Sequence, residues 1–550
     1  MTIYKYIKKL FLNSKILLPL YVIFIGFTLE YSVKLLIRSS DILMADKALG
    51  SFSVYCFVFF TYISFEFCRK CKKDNIEECL QSISGGYKQV LKSQLLLLNN
   101  LILIFTAIIL ILQFAQYIKI GYSFNFMYII YLLLKVALYY YLVPVTGAFL
   151  GLTFALTSNR LNSYLMLILI TLLGTPFFRT ILDMLYDTAE INLFPIFQIF
   201  DIFPHDLNFT ANYAFDTSVL PHVWLSCIFW CSLSFVIAFY KLSVPKTPKI
   251  ILKKLPVLIL CAACFITAII PSSKVQVEYV HPYESVDSEW SYYVSHKKKA
   301  ESVPVVNEAF SVTEYDAELT IGSKLYATIK ITPDNKELNE YVFTLFHEYK
   351  ISKITDENNN KLKFTQDSDY VTVYTSGTIN QLCFTYSGFS GTFYSNVQGT
   401  FLPGFFPYLP FPGCKAIYNA DHGGSFNVLS FGDEADISVK VNSLRQIYCN
   451  LEKTGRNTFS GKSNGLTLIS GFYDEITVND ITTVRPYMDY TRESNKNITK
   501  MINMNSDNPE FNNVKTILIM PHVNLSLTGH EQYIVFSDHI VSSQTYSLMH

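Results

Sequence analysis

Apolar runs separated by short polar loops fill the first half of the chain: about Ile16 to Leu36, Leu49 to Phe67, Ser93 to Phe114, Met127 to Leu156, Leu161 to Phe178, Pro221 to Tyr240 and Ile250 to Ile270. Each approaches the roughly 20 residues a helix needs to cross about 30 Å of hydrocarbon, so about seven spans are expected. The last run, Leu255 to Ile270, lies between Lys249, Lys253 and Lys254 on one side and Pro271-Ser272-Ser273 on the other, and it divides the chain. Beyond it the period falls to two. Leu325, Ala327, Ile329 and Ile331 alternate with Tyr326, Thr328, Lys330 and Thr332, and Ala435, Ile437, Val439 and Val441 with Asp436, Ser438, Lys440 and Asn442. Such alternation marks half-buried antiparallel strands. Turns at Gly322-Ser323, Glu357 to Asn360 and Gly465 separate further short runs. About ten or more strands without intervening helices predict a β-sandwich. The expected fold is an α-helical polytopic membrane bundle of about seven spans followed by an all-β extracytoplasmic sandwich. The expected domains are 1–273 (membrane), 274–305 (a polar, Ser/Lys-rich linker), 306–490 (β-domain) and 491–550 (a mixed C-terminal segment).

Composition agrees with two kinds of domain: of 550 residues 50% are hydrophobic and only 16% charged, too apolar for a wholly soluble protein. The formal net charge is +0, so nothing argues for nucleic acid as a partner. The placement of the charges is more informative. Lys5, Lys8, Lys9 and Lys15 precede the first run, Arg69, Lys70, Lys72 and Lys73 follow the second, Arg160 follows the fourth, and Lys241, Lys246, Lys249, Lys253 and Lys254 precede the last. The alternate loops hold Arg38, Lys47, Lys119 and Arg179. By the positive-inside rule the N-terminus is cytoplasmic and an odd number of spans puts the C-terminal domain outside, in a multi-pass protein of the cell membrane in contact with its lipids.

Ionisable residues at membrane depth are functional candidates by default. Glu66 sits near Arg69 and Lys70 and is expected to be structural. Lys135 falls near the midplane of a span beginning at Met127, whereas a span from Val136 to Leu156 places it at the surface; the second fits about 20 residues better. Cys68-x-x-Cys71 has no second ligand pair at structural-zinc spacing, so ordinary juxtamembrane thiols are expected. Cys383, Cys414 and Cys449 are the only cysteines of the outer domain and imply at most one bridge. The aromatic and proline-rich stretch Gly388 to Gly413 is expected to pack over a sheet rather than bind ligand. Gly455 to Ser463 has too many residues between its glycines for a phosphate-binding loop.

Two resemblances carry function. Between the second and third runs lies CRKCKKDNIEECLQSISGGYKQVLK, where Ile76, Leu80 and Ile83 at helical spacing, with Asp74, Glu77 and Glu78, make a short amphipathic helix. It is either an ordinary interfacial helix or, as the whole span pattern favours, one that resembles the coupling helix of type-two ABC exporter permeases. That resemblance implies a separate cytosolic ABC ATPase that hydrolyses ATP, and a homodimer or a second permease subunit. In the outer half, AFSVTEYDAELTIGSKLYATIKI, ITDENNNKLKFTQDSDYVTVY, NQLCFTYSG, FLPGFFPYLP and RNTFSGKSNGLTLISGFYDEI are similar in order and spacing to the N-terminal β-domain of the aminopeptidase N family of zinc peptidases, over about Ala309 to Pro486. That family binds zinc through HExxH, two histidines one helical turn apart. Here His347-Glu348 and His530-Glu531 lack the second histidine, so no catalytic, metal or cofactor residue is assigned. Gly529, His530, Glu531 and Gln532 stand where the family has its GxMEN substrate loop, of which only Gly529 matches. The chain stops at His550, about where the zinc helix should begin. The resulting expectation is a permease subunit, not itself an enzyme, whose outer domain binds substrate or a partner. The alternative is a membrane-bound aminopeptidase-like metallopeptidase whose zinc-binding part is missing or on another chain.

Overall fold

The structure is a computed structural model that describes residues 3–38, 42–73, 86–120, 124–157, 160–174, scattered positions from 178 to 203, 221–242, 255–269, 292–293, 309–487 apart from 323, 391, 397–398, 420–424 and 479, and then 513–520 and 533–542. The chain divides into two compact units, Met1–Ala211 with Thr217–Ser272, and Asn212–Asp216 with Ser273–His550.

The first unit is helical: α1 Ile3–Leu12, α2 Leu17–Arg38, α3 Ile42–Lys73, α4 Gly86–Ile120, α5 Phe126–Lys135, a π-helical stretch Val136–Leu142, α6 Val143–Thr157, α7 Arg160–Leu173, α8 Pro221–Leu242 and α9 Leu255–Ile269. Among the described residues four segments, Leu17–Arg38, Phe52–Cys71, Lys88–Lys119 and Phe126–Leu156, are long and apolar enough to cross a membrane. Leu161–Leu173, Val223–Ala238 and Leu255–Thr267 are apolar but shorter. Seven spans are therefore corrected to four helices of membrane length, which support membrane association without fixing its sidedness.

The largest departure concerns Phe126–Leu156. The spacing argument divided it before Val136, but the helix runs through, because the π-helical stretch keeps the backbone bonded across the join. Lys135, on this continuous helix, is 2% exposed among its neighbours. Glu66 accepts a hydrogen bond from the Tyr164 hydroxyl of α7. Several polar groups on these helices are bonded across the bundle, as suits a dry interior: Tyr21 donates to the Leu101 carbonyl at 2.8 Å, Ser64 to the Ala148 carbonyl at 2.7 Å and Thr106 to the Tyr140 carbonyl at 2.7 Å. Lys119 Nζ donates to the carbonyls of Leu36 and Ile37, which lie in the last turn of α2, where a cation also meets the negative end of the helix dipole.

The second unit is all-β among its strands. A seven-stranded sheet has the order β14-β15-β12-β1-β2-β7-β4, with β1 Val312–Ile321, β2 Leu325–Pro333, β4 Lys350–Asp356, β7 Leu382–Gly388, β12 Ala435–Asn442, β14 Glu452–Gly455 and β15 Thr458–Ser463. A four-stranded sheet, β5-β6-β3-β9, is built of β3 Glu340–Thr344, β5 Lys363–Asp367, β6 Tyr370–Tyr374 and β9 Phe411–Pro412, and its Phe343 meets Phe384 of β7 edge-on with ring centroids 5.0 Å apart, so the two sheets share one core. The alternation expected for β2 and β12 holds: Leu325, Ala327, Ile329, Ile331, Ala435, Ile437, Val439 and Val441 are all buried. Pairing differs on one side, because β12 runs parallel to β1 and antiparallel only to β15. The glycine-rich stretch Gly455 to Ser463 is the β14-β15 hairpin, not a strand, loop and helix that could cradle phosphate.

The aromatic and proline-rich stretch is core. Phe393, Phe401, Phe405, Phe406, Tyr408 and Phe411 are each at most 1% exposed. Tyr408 donates to the Leu466 carbonyl at 2.8 Å and its own carbonyl accepts from Tyr386 at 2.5 Å. Tyr408→Phe should therefore lower the unfolding free energy by about 1–2 kcal/mol, the cost of leaving one buried carbonyl unbonded, as read from denaturant midpoints of the full-length protein.

Candidate functional site

The C-terminal part of the second unit is a five-stranded mixed sheet, ordered β17-β18-β19-β21-β20, with β17 Tyr473–Val478, β18 Ile481–Pro486, β19 Thr516–Ile519, β20 Tyr533–Val535 and β21 His539–Ser542. Its middle pairs, β18 with β19 and β19 with β21, are parallel; β20 returns antiparallel on β21. Val514, Ile517, Ile519 and Ile540 pack one face of it.

Its hairpin, β20 and β21, is fixed by a buried polar knot. At the turn the Asp538 carboxylate accepts from Ser463 Oγ at 2.5 Å and from Asn450 Nδ2 at 2.8 Å, and its Oδ1 lies 2.7 Å from His539 Nδ1. The other imidazole nitrogen, Nε2, is 2.8 Å from Thr467 Oγ1, which also accepts from the Gly404 N–H. Asn450 Oδ1 accepts from the Thr467 N–H at 2.9 Å. Phe536 lies flat on the His539 ring, with centroids 4.4 Å apart. Gly465 makes room for the Phe536 ring, since a Cβ there would come within 2.6 Å of it. Burial alone would raise the Asp538 carboxyl pKa, but the hydrogen bond and charge of His539 with the Ser463 and Asn450 donors hold it below the usual carboxylate range. Burial pushes the neighbouring Cys449 thiol up, so it is an unreactive core thiol.

The knot leaves β20 at the margin of the sheet. The Phe536 N–H donates to the His539 carbonyl at 2.8 Å. Bonded and non-bonded pairs alternate along an antiparallel ladder. Ile534 with Val541 is then a bonded pair, and the intervening Val535 directs its N–H and C=O away from β21. Among the described residues no strand pairs with that side of β20. Gly529, His530, Glu531 and Gln532, the segment that leads into β20, lie outside the described residues, as do Asp74, Ile76, Glu77, Glu78, Leu80 and Ile83 of the expected coupling helix.

A second buried histidine is held in the same manner. Asp369 Oδ1 accepts from the His347 N–H at 2.8 Å and lies 3.0 Å from its Nδ1. Tyr292 stacks on the ring at 3.7 Å, and its hydroxyl lies 2.9 Å from Ser368 Oγ. Tyr293 stacks on Tyr418 at 4.9 Å. The polar linker is thus pinned to the β-domain at these two tyrosines, which the lysine-rich sequence around them concealed.

Zinc, which the aminopeptidase resemblance implies, does not fit the described residues. Among the described residues no group of three or more His, Cys, Asp or Glu could hold one ion. His347 and His539 each face one carboxylate and an aromatic ring, not a common centre. Cys68 and Cys71 are buried in α3, and Cys383, Cys414 and Cys449 form no bridge.

No protein-family model matches the chain, and no curated protein matches it. Solved structures do. An M1 zinc metallopeptidase from Deinococcus radiodurans aligns with a TM-score of 0.31 and 15% identity over 44% of this chain and 62% of its own. The yeast LTA4 hydrolase in complex with bestatin aligns with a TM-score of 0.30 and 9% identity over 45% of this chain and 44% of its own. The native leukotriene A4 hydrolase from Saccharomyces cerevisiae gives 0.28 and 11% over the same shares. The chain thus spans about three-fifths of the first of these proteins and less than half of the yeast one. The exporter-permease resemblance gains nothing from these comparisons. The expectation that this chain is no enzyme is corrected: the structures it is similar to are zinc metallopeptidases and a hydrolase, and the non-enzymatic reading is withdrawn.

Proposed function

We propose that this chain is the membrane-associated, peptide-engaging part of an aminopeptidase-like metallopeptidase. The observation that carries the reading is the outward backbone of Val535 on the edge strand β20, held in place by the Asp538 knot. An exposed strand edge takes an extended peptide by adding a strand, main chain to main chain. No chemical step is assigned to the described side chains.

The test is binding of a fluorescent tripeptide with a free amino terminus to the full-length protein in detergent. Val535→Pro removes the outward N–H while sparing the ladder to β21, a change an edge strand tolerates. It should weaken binding at least tenfold with an unchanged melting temperature. Equal binding by the variant would dismiss the edge as the peptide site.

A further inference from the structure

A cavity of about 440 Å³ opens in the helical unit between α4, α6 and α8. Its walls include Leu95 and Ile102 of α4, Phe149 of α6 and Phe235 of α8. At one end stand Lys88 and Lys92, both exposed and one helical turn apart on α4. None of the lining residues is acidic. The volume lies within the roughly 300–1,000 Å³ typical of small-molecule sites.

The spacing of the lining residues orients an occupant. Lys88, Lys92, Leu95 and Ile102 follow one face of α4. From Lys92 to Ile102 the helix rises about 15 Å, at 1.5 Å per residue. That is half of the roughly 30 Å hydrocarbon core, the depth of one leaflet. A slot with two ammonium groups at its mouth and apolar walls to the depth of a leaflet matches an amphiphile with an anionic head and one acyl chain aligned with the helices. Lysines near a membrane surface attract anionic headgroups, while a zwitterionic headgroup, whose own cation offsets its phosphate, gains little from them. We propose that this cavity is a binding site for an anionic glycerophospholipid, its phosphate on Lys88 and Lys92 and one acyl chain against Leu95, Ile102, Phe149 and Phe235.

The experiment is native mass spectrometry of the full-length protein in detergent, titrated separately with phosphatidylglycerol and with phosphatidylcholine of identical chains. Phosphatidylglycerol should be retained at least tenfold more tightly. The exposed pair Lys88→Gln with Lys92→Gln, which disturbs no core, should abolish that preference. Leu95→Trp, which fills the slot, should reduce retention of both lipids. Equal retention of the two lipids by the native protein would overturn the proposal, as would an undiminished preference in the lysine variant. Loss in the lysine variant with full retention in Leu95→Trp would also overturn it, since the headgroup would then bind a surface patch and the cavity would hold no chain.

Discussion

Asp538→Ala should destabilise the second unit by about 3 kcal/mol, since a buried donor that loses its acceptor costs about 1–3 kcal/mol and several converge on this carboxylate. The carboxylate is the point at which Ser463, Asn450 and His539 converge, over sequence separations of 75, 88 and 1 residues. Without it His539, which is 0% exposed, loses the partner of its Nδ1, and Ser463 and Asn450 are left with the Gly465 carbonyl alone. Hydrogen exchange should quicken first at Thr516–Ile519 and His539–Ser542, the strands nearest the knot, and later in the seven-stranded sheet. The effect has a definite pH dependence. Because the Asp538 pKa is lower folded than unfolded, its stabilisation is complete above the unfolded carboxylate value of about 3.9 and is lost as pH falls through the lower folded value. The difference in stability between native protein and variant should therefore be constant near neutrality and shrink in strong acid. A difference that grew on acidification would mean that the carboxylate is not ionised in its knot.

The second large effect is expected where α3 and α6 touch. A Cβ on Gly151 would lie 2.1 Å from the Thr61 carbonyl oxygen and 3.0 Å from the Phe65 nitrogen, and one on Gly147 would lie 2.6 Å from Thr61 Oγ1 and 2.8 Å from the Phe57 carbonyl. These obstacles include backbone, which cannot rotate aside. Small residues four apart let two membrane helices approach closely. Gly151→Ala should cost about 3 kcal/mol, the upper end for forcing extra volume into a packed interior, and Gly151→Leu should prevent the two helices from packing. Gly26, whose Cβ would meet nothing within 4 Å, supplies the control: Gly26→Ala should leave thermal unfolding in detergent, followed by the fluorescence of Trp224 and Trp230, close to that of the native protein. If Gly151→Ala behaves as the control does, the close contact of α3 with α6 is not what holds the bundle.

Much of the architecture was legible because both of its periods are local. Apolar runs near 20 residues produced helices, and strict alternation at Leu325 to Thr332 and Ala435 to Asn442 produced strands with the expected inner faces. The packed state of Gly388 to Gly413 was also readable, since so many aromatic residues need a core. The burial of Lys135 was not legible, because length alone sets the ends of a span. A lysine within an apolar run is ambiguous until the neighbouring helices are known, and here they bury it. The parallel match of β12 with β1 was hidden for a related reason, since alternation reveals which face a strand buries but not the direction of its neighbour.

The candidate site was the least legible part. His539 sits in a run that reads as an unremarkable strand, and Asn450, Ser463 and Thr467 look like loop residues. Nothing local links them. By itself the sequence determined where helices give way to strands, which faces are apolar and which segments resemble known families, since those depend on residues within a few positions of each other. Only the tertiary structure decided that Asp538 gathers Asn450 and Ser463, that Val535 lies on an edge, and that Lys88 and Lys92 share a slot with Phe149 and Phe235. Those arrangements join residues tens of positions apart, and packing of whole elements, not local preference, brings them together.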